Sequence, residues 1–331
     1  MIVGISTAAT LLVIAAVGLA IFIICRQRAN RGPTGDGEPG TGLRDVSALL
    51  DDFNDYFLLA GVPQKKWDIH QGKSHHQLLQ PNSEAYQTVL GLFNALNGTP
   101  LADAISAIYG VINPQVATNF LSHRSILARR LEKDPNLFKK EDWRKDSQLD
   151  LRQWTMHQFG DLAQSSPWNT IDELVPVVPM VHGTDATVAW KILDTGFSAL
   201  SSLDKGYYGC GIYFTSSAQY ALPYYSTKKN PAVLICLAIP GNVYPVTEHR
   251  KGENSLMGQP IKGGYQSHYV LTTKDGNPCK QREAPDSHYD ELVLGQEAQV
   301  VPIAIIEFSQ DKLIPFAKAF QREIPTHDQY R

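Results

Sequence analysis

The first 25 residues, MIVGISTAATLLVIAAVGLAIFIIC, contain no charged side chain. As a helix, this run would reach about 36 Å, enough to cross a hydrocarbon core of about 30 Å. Arg26, Arg28 and Arg31 follow it directly, and the positive-inside rule then leaves the rest of the chain in the cytosol. A cleaved signal peptide is the competing reading, with Gly18-Leu19-Ala20 as the small-residue cleavage site. Against it, the run lacks a basic n-region and exceeds the usual apolar core of about 7–15 residues. Residues 1–25 are therefore expected to form a transmembrane helix, making this a single-pass membrane protein. Cys25 at the boundary is a candidate for palmitoylation. Residues 26–42, dense in Gly and Pro, read as a flexible linker.

From Leu43 the pattern is helical: Leu43, Val46, Leu49, Leu50, Phe53 and Phe57 recur at three and four residues. The polar stretch through Gln80, with His75-His76, reads as an irregular loop. Asn82-Ser83-Glu84 then caps a helix through Tyr86, Val89, Leu90 and Phe93, with Gly98 as its stop. Asn113-Pro114 opens another, an N-cap followed by proline at the first helical position, which Asp134-Pro135 ends. A last helix is expected over about Leu149 to Leu162. Residues 43–165 thus read as a helical region.

Beyond Trp168 come short β-rich runs at Val177–Val181, Gly211–Phe214, Ala232–Ile239, Glu291–Leu294 and Val300–Phe308. One helix interrupts them, capped at Asp185 and stopped at Gly196. Strands that do not alternate with helices exclude a doubly wound parallel sheet. They predict a largely antiparallel α+β domain over 166–320.

Composition removes several functions. The 331 residues hold 30 Lys+Arg against 33 Asp+Glu, a formal net charge of −3, so no cationic surface for direct nucleic-acid binding is expected. The 4 cysteines include no CxxC pair, which argues against a disulfide scaffold or a structural zinc. There is no GxSxG, GxxxxGK[ST], HExxH or EF-hand loop.

What remains is a constellation. His182-Gly183-Thr184 closes a predicted strand and opens a capped helix. Tyr207-Tyr208-Gly209-Cys210-Gly211-Ile212-Tyr213-Phe214 follows, and then Ser216, Ser217 and Tyr220. Tyr213 and Tyr220 bracket a short loop, an arrangement able to hold a planar ring. Tyr289-Asp290-Glu291 places acid at the start of an apolar strand.

In this order these residues resemble the diphtheria-toxin-like ADP-ribosyltransferases, and among them the poly(ADP-ribose) polymerase catalytic domains. The signature is a His-Gly, a Tyr in a Gly-x-Gly-x-Tyr-Phe turn, and a Glu on a later strand. Here His182, Tyr213 and Glu291 fill those places. Gln299-Val300-Val301-Pro302 with Ile305-Ile306-Glu307-Phe308 is similar to the family's closing strand, and Ile112-Asn113-Pro114 to the segment that often leads into the domain. The resemblance covers about residues 105–310.

It implies an ADP-ribosyltransferase-like antiparallel split sheet with NAD as ADP-ribose donor, release of nicotinamide, and no metal. Protein acceptors are implied, the chain itself among the candidates. The catalytic set would be Glu291, His182 and Tyr213. The resemblance also implies that His182 binds a ribose hydroxyl, that the Gly183 backbone and Ser217 hydroxyl hold the nicotinamide amide, and that Tyr220 stacks on its ring with Tyr213 closing the other side. Glu291 would bind the 2′-hydroxyl of the nicotinamide ribose. Members that build chains often carry Lys where this sequence has Ser216, and the donor-side loop, about Ser198 to Tyr208, holds one lysine, Lys205. Mono- and poly-ADP-ribosylation both stay open, as do a non-catalytic NAD or ADP-ribose binding module on a membrane and an NAD glycohydrolase.

Overall fold

The computed structural model describes residues 73–138, 141–169, 174–197, 206–280 and 288–320. The expected membrane span, the linker and the helical pattern from Leu43 to Phe57 lie outside the described residues. Among the described residues, no helix is long and apolar enough to cross a membrane.

Local capping sets the helix starts. Ser83 caps α1 (Glu84–Phe93), its side chain accepting from the Tyr86 N–H. Asn113 caps α2 (Pro114–Lys133), accepting from the Gln115 and Val116 N–H groups. The same side chain donates to the carbonyls of Leu193 and Asp194, both at 2.9 Å, so one amide starts α2 and satisfies the C-terminal end of another helix. α3 spans Leu149–Ser165. Asp185 caps α4 (Ala186–Thr195), accepting from Thr187 N at 2.9 Å.

The strands form two sheets. The first has the order β1 (His75–Leu78), β2 (Ile105–Ile112), β9 (Val300–Phe308), β5 (Pro231–Ala238), β3 (Val178–Asp185). The second has the order β4 (Ile212–Phe214), β8 (Tyr289–Leu294), β7 (Ser267–Thr272), β6 (Val243–Val246). Every strand pair is antiparallel except β6 with β7. α5 (Ala218–Tyr225) joins β4 to β5, and α6 (Gln310–Phe320) follows β9. The fold is α+β.

β5 is buried at every position, and its period-2 alternation feeds two cores. Val233, Ile235 and Leu237 pack with residues of α1, α2 and α5. Ala232, Leu234 and Cys236 pack on the other side against Phe214, Tyr269 and Leu292 of the second sheet.

Two sequence expectations need correction. The stretch around His75 is not a loop: His75–Leu78 pairs with β2, from His75 opposite Ile112 to Leu78 opposite Tyr109. Nor is 43–165 helical throughout its described part, because β2 lies between β1 and β9 in the first sheet. Residues expected to precede the sheet instead build it. β1 is mostly exposed, so it has no hydrophobic alternation to betray it; pairing alone makes it a strand.

Candidate functional site

Besides the core packed between them, the two sheets are joined among the described residues by one backbone bridge. Val181 N–H donates to Thr215 O at 2.9 Å, and Thr215 N–H returns to Val181 O at 3.2 Å. Among the described residues, no further bridge joins β3 to the second sheet, which leaves β3 as an edge strand from Gly183 onward. Gly183 has the same strand parity as Val181, so its N–H and C=O face the same split edge.

His182 is half-buried beside this split. Its Nδ1 lies 3.0 Å from the Tyr213 carbonyl oxygen. A carbonyl only accepts, so Nδ1 carries the proton and Nε2 is an acceptor in the neutral ring. Burial lowers the pKa of His182 below its ordinary value, with the Tyr213 hydrogen bond opposing the shift. The ring stands edge-on to Phe197, with centroids 5.2 Å apart, and tilted against Phe214.

Tyr213 sits on β4 opposite Val293 of β8. Strand alternation therefore puts Tyr213 and Glu291 on one face of the second sheet. The Tyr213 hydroxyl accepts from Tyr208 N at 2.8 Å and donates to Gly209 O at 2.7 Å. It ties down the preceding turn, which His268 also anchors. That buried ring donates from Nδ1 to Tyr208 O at 2.6 Å, and its Nε2 accepts from Lys262 N at 2.9 Å. His268 must be neutral to do both, and burial lowers its pKa accordingly. Gly209 has φ +114°, and a Cβ there would lie 2.8 Å from His268 Nδ1, so both backbone and space require glycine.

Ser217 caps α5, accepting from Tyr220 N at 3.2 Å. Tyr220, in the first turn, is only 1% exposed. Its hydroxyl donates to Glu291 Oε1 at 2.5 Å, a bond from helix to strand. One face of its ring is stacked on Tyr289, with centroids 5.3 Å apart and 23° between planes. Glu291 is itself buried, on β8 opposite Val270.

The six residues singled out from the sequence thus come from four elements around one seam. His182 contacts the backbone of Tyr213, Tyr213 shares a sheet face with Glu291, and Glu291 is held by Tyr220 from the helix that Ser217 caps. Gly183 admits that helix: a Cβ would meet Tyr225 Cδ1 at 2.7 Å and Ala221 O at 3.2 Å. Tyr213 and Tyr220 flank the short 215–217 connection, as the sequence reading has them. Tyr213 is a strand residue roped to the 206–209 turn, and Tyr220 is a helix residue resting on Tyr289. Positions 198–205 of the expected donor-side loop lie outside the described residues.

Sequence reasoning missed Asp290, Thr215, His268 and Tyr289 as parts of this site. The only signal for Asp290 was its adjacency to Glu291, and strand alternation sends consecutive side chains to opposite faces. Among the described residues, no group of three or more His, Cys, Asp or Glu side chains is arranged to hold a metal ion. A scan against protein-family models and a search of curated proteins both find no match for this chain.

Proposed function

We propose that this chain transfers ADP-ribose from NAD to a protein side chain, releasing nicotinamide. The observation that carries the reading is the 2.5 Å bond from Tyr220 to Glu291. It joins the acid of β8 to the helix capped by Ser217, beside the seam that His182 and Gly183 line.

Each residue type suits its task. Neutral His182 offers Nε2 as an acceptor for a ribose hydroxyl. The Gly183 N–H and C=O, aimed into the split, complement the donor and acceptor of a carboxamide, and Ser217 supplies a hydroxyl nearby. Glu291 would accept from the 2′-hydroxyl of the nicotinamide ribose. In the reaction, the bond from ribose C1′ to the pyridinium nitrogen breaks and its electron pair leaves with nicotinamide, which becomes neutral. Positive charge grows on the ribose, and the fixed Glu291 carboxylate stabilises it more in the transition state than in the ground state. The acceptor's lone pair forms the new bond to C1′, and its proton passes to Glu291 or to water. The apolar run at 1–25 would hold this activity at a membrane, with the following arginines on the cytosolic side.

The test is incubation of the purified full chain with NAD labelled in the adenylate phosphate. Label on protein supports transfer, and mass spectrometry of that product gives acceptor, linkage and chain length. Free labelled ADP-ribose supports hydrolysis, and binding without turnover a non-catalytic module. Glu291→Gln keeps the shape and removes the charge. It should lower nicotinamide release by about 100-fold or more, the scale of one electrostatic stabiliser, while NAD binding survives. Unchanged turnover in this variant would refute the role given to Glu291.

A further inference from the structure

We propose that Asp290 is a positioning residue for this site, a clamp on the opposite face of β8 that sets where Ser217 and Tyr220 stand relative to Glu291. The inference rests on the ADP-ribosyl-transfer reading above.

Asp290 is 4% exposed. Its Oδ1 accepts from Thr215 Oγ1 at 3.0 Å and from Ser216 N at 2.7 Å. Its Oδ2 accepts from the Tyr269 hydroxyl at 2.9 Å. These neutral donors fill both carboxylate oxygens, and among the described residues no ion pair reaches them. Burial and the charge of Asp290 push the Tyr269 hydroxyl well above its ordinary pKa, so it stays a donor.

Traced onward, these contacts close a ring. Thr215 Oγ1, held by Asp290, accepts from Ser217 N at 3.1 Å. The Ser217 side chain accepts from Tyr220 N at 3.2 Å, and Tyr220 donates to Glu291 at 2.5 Å. The circuit leaves β8 at Asp290 and returns to it at the next residue. It fixes the turn between β4 and α5 from both sides of the strand, so the helix cap cannot shift without breaking a bond at one acid or the other. A buried carboxylate without a cation is a poor way to gain stability, since it gives up hydration that an apolar pair never had to lose. What it supplies is geometry: two directed bonds to one turn, with a third from Tyr269 on β7 fixing the carboxylate itself.

The experiment uses the purified full chain as Asp290→Asn, Thr215→Val and the double variant. Asn keeps the shape but turns an NH2 toward donors. Asp290→Asn should lower kcat for nicotinamide release 10- to 100-fold while the KM for NAD changes less than about threefold, as misplacement of about 1 Å does. Thr215→Val should lower kcat about 10-fold, and the double variant should lose no more than Asp290→Asn alone, because both act through one circuit. A purely structural role would lower the melting temperature and leave kcat per folded molecule unchanged; that result, or losses that multiply, overturns the proposal. Hydrogen exchange at Ser216 and Ser217 reads the clamp independently of turnover. It should quicken at least 10-fold in Asp290→Asn, and unchanged exchange overturns the proposal too. A wild-type chain that releases no nicotinamide refutes the functional reading instead, and the exchange result still decides the clamp.

Discussion

Gly183→Ala is the sharpest probe of how the seam is built. The added Cβ would sit 2.7 Å from Tyr225 Cδ1 and 3.2 Å from the Ala221 carbonyl oxygen. Comfortable carbon contacts begin near 3.5 Å, so one neighbour must retreat by somewhat under about 1 Å. The Tyr225 ring is poorly placed to do so, being fully buried with its hydroxyl bonded to Ala218 O at 3.1 Å. The strain therefore falls on α5 as a body. Overpacking of this kind costs about 1–3 kcal/mol, which at this size lowers the melting temperature by about 2–10 °C. α5 carries Ser217 and Tyr220, so turnover should fall further, toward 100-fold for a shift of about 1 Å. Gly160→Ala in α3 is the control. Its Cβ would meet nothing within 4 Å, and helix propensity predicts a gain of about 1 kcal/mol. Thermal unfolding followed by circular dichroism, beside nicotinamide release, measures both variants. A Gly183→Ala protein that melts within about 1 °C of wild type and turns over normally would refute the close-packing argument.

Other predictions follow from the same contacts. Tyr220→Phe keeps the stack on Tyr289 and deletes the bond to Glu291; hydrogen bonds to charged groups contribute about 1.5–3 kcal/mol, so kcat should fall at least 10-fold with little change in NAD affinity. Tyr220→Ala should lose affinity as well, and equilibrium NAD binding separates the two variants. His182 and His268 have pKa values lowered in the fold by burial, so the unfolded chain binds more protons below about pH 6.5. Their contribution to stability is complete above that pH and is lost as pH falls toward their folded values, by up to about 1.4 kcal/mol per pH unit for each ring. Urea unfolding between pH 5 and 8 measures this slope, and a His268→Gln variant should flatten it.

Much of the architecture could be read from short-range signals. Ser83, Asn113 and Asp185 cap helices because a cap bonds within three residues of itself. The apolar runs of β5 and β9 needed no partner to be recognised. The harder elements break local rules: α5 contains Pro223, β6 contains Pro245, and β1 is polar and exposed. What makes them regular is the neighbour each packs against or pairs with, and no local pattern encodes it.

The site divides the same way. The chemical identities of His182, Gly183, Tyr213, Ser217, Tyr220 and Glu291, and their order, were present in the chain alone. Their relations were not. That His182 is neutral with its proton on Nδ1, that Tyr220 reaches Glu291, and that Asp290 faces away from its neighbour to grip the turn at Thr215 all follow from register and strand parity between segments up to 75 residues apart. A sequence records which side chains exist and how nearby ones repeat. Which of them share a face is decided only when the strands pair, because shifting a strand by one residue turns every side chain to the other side.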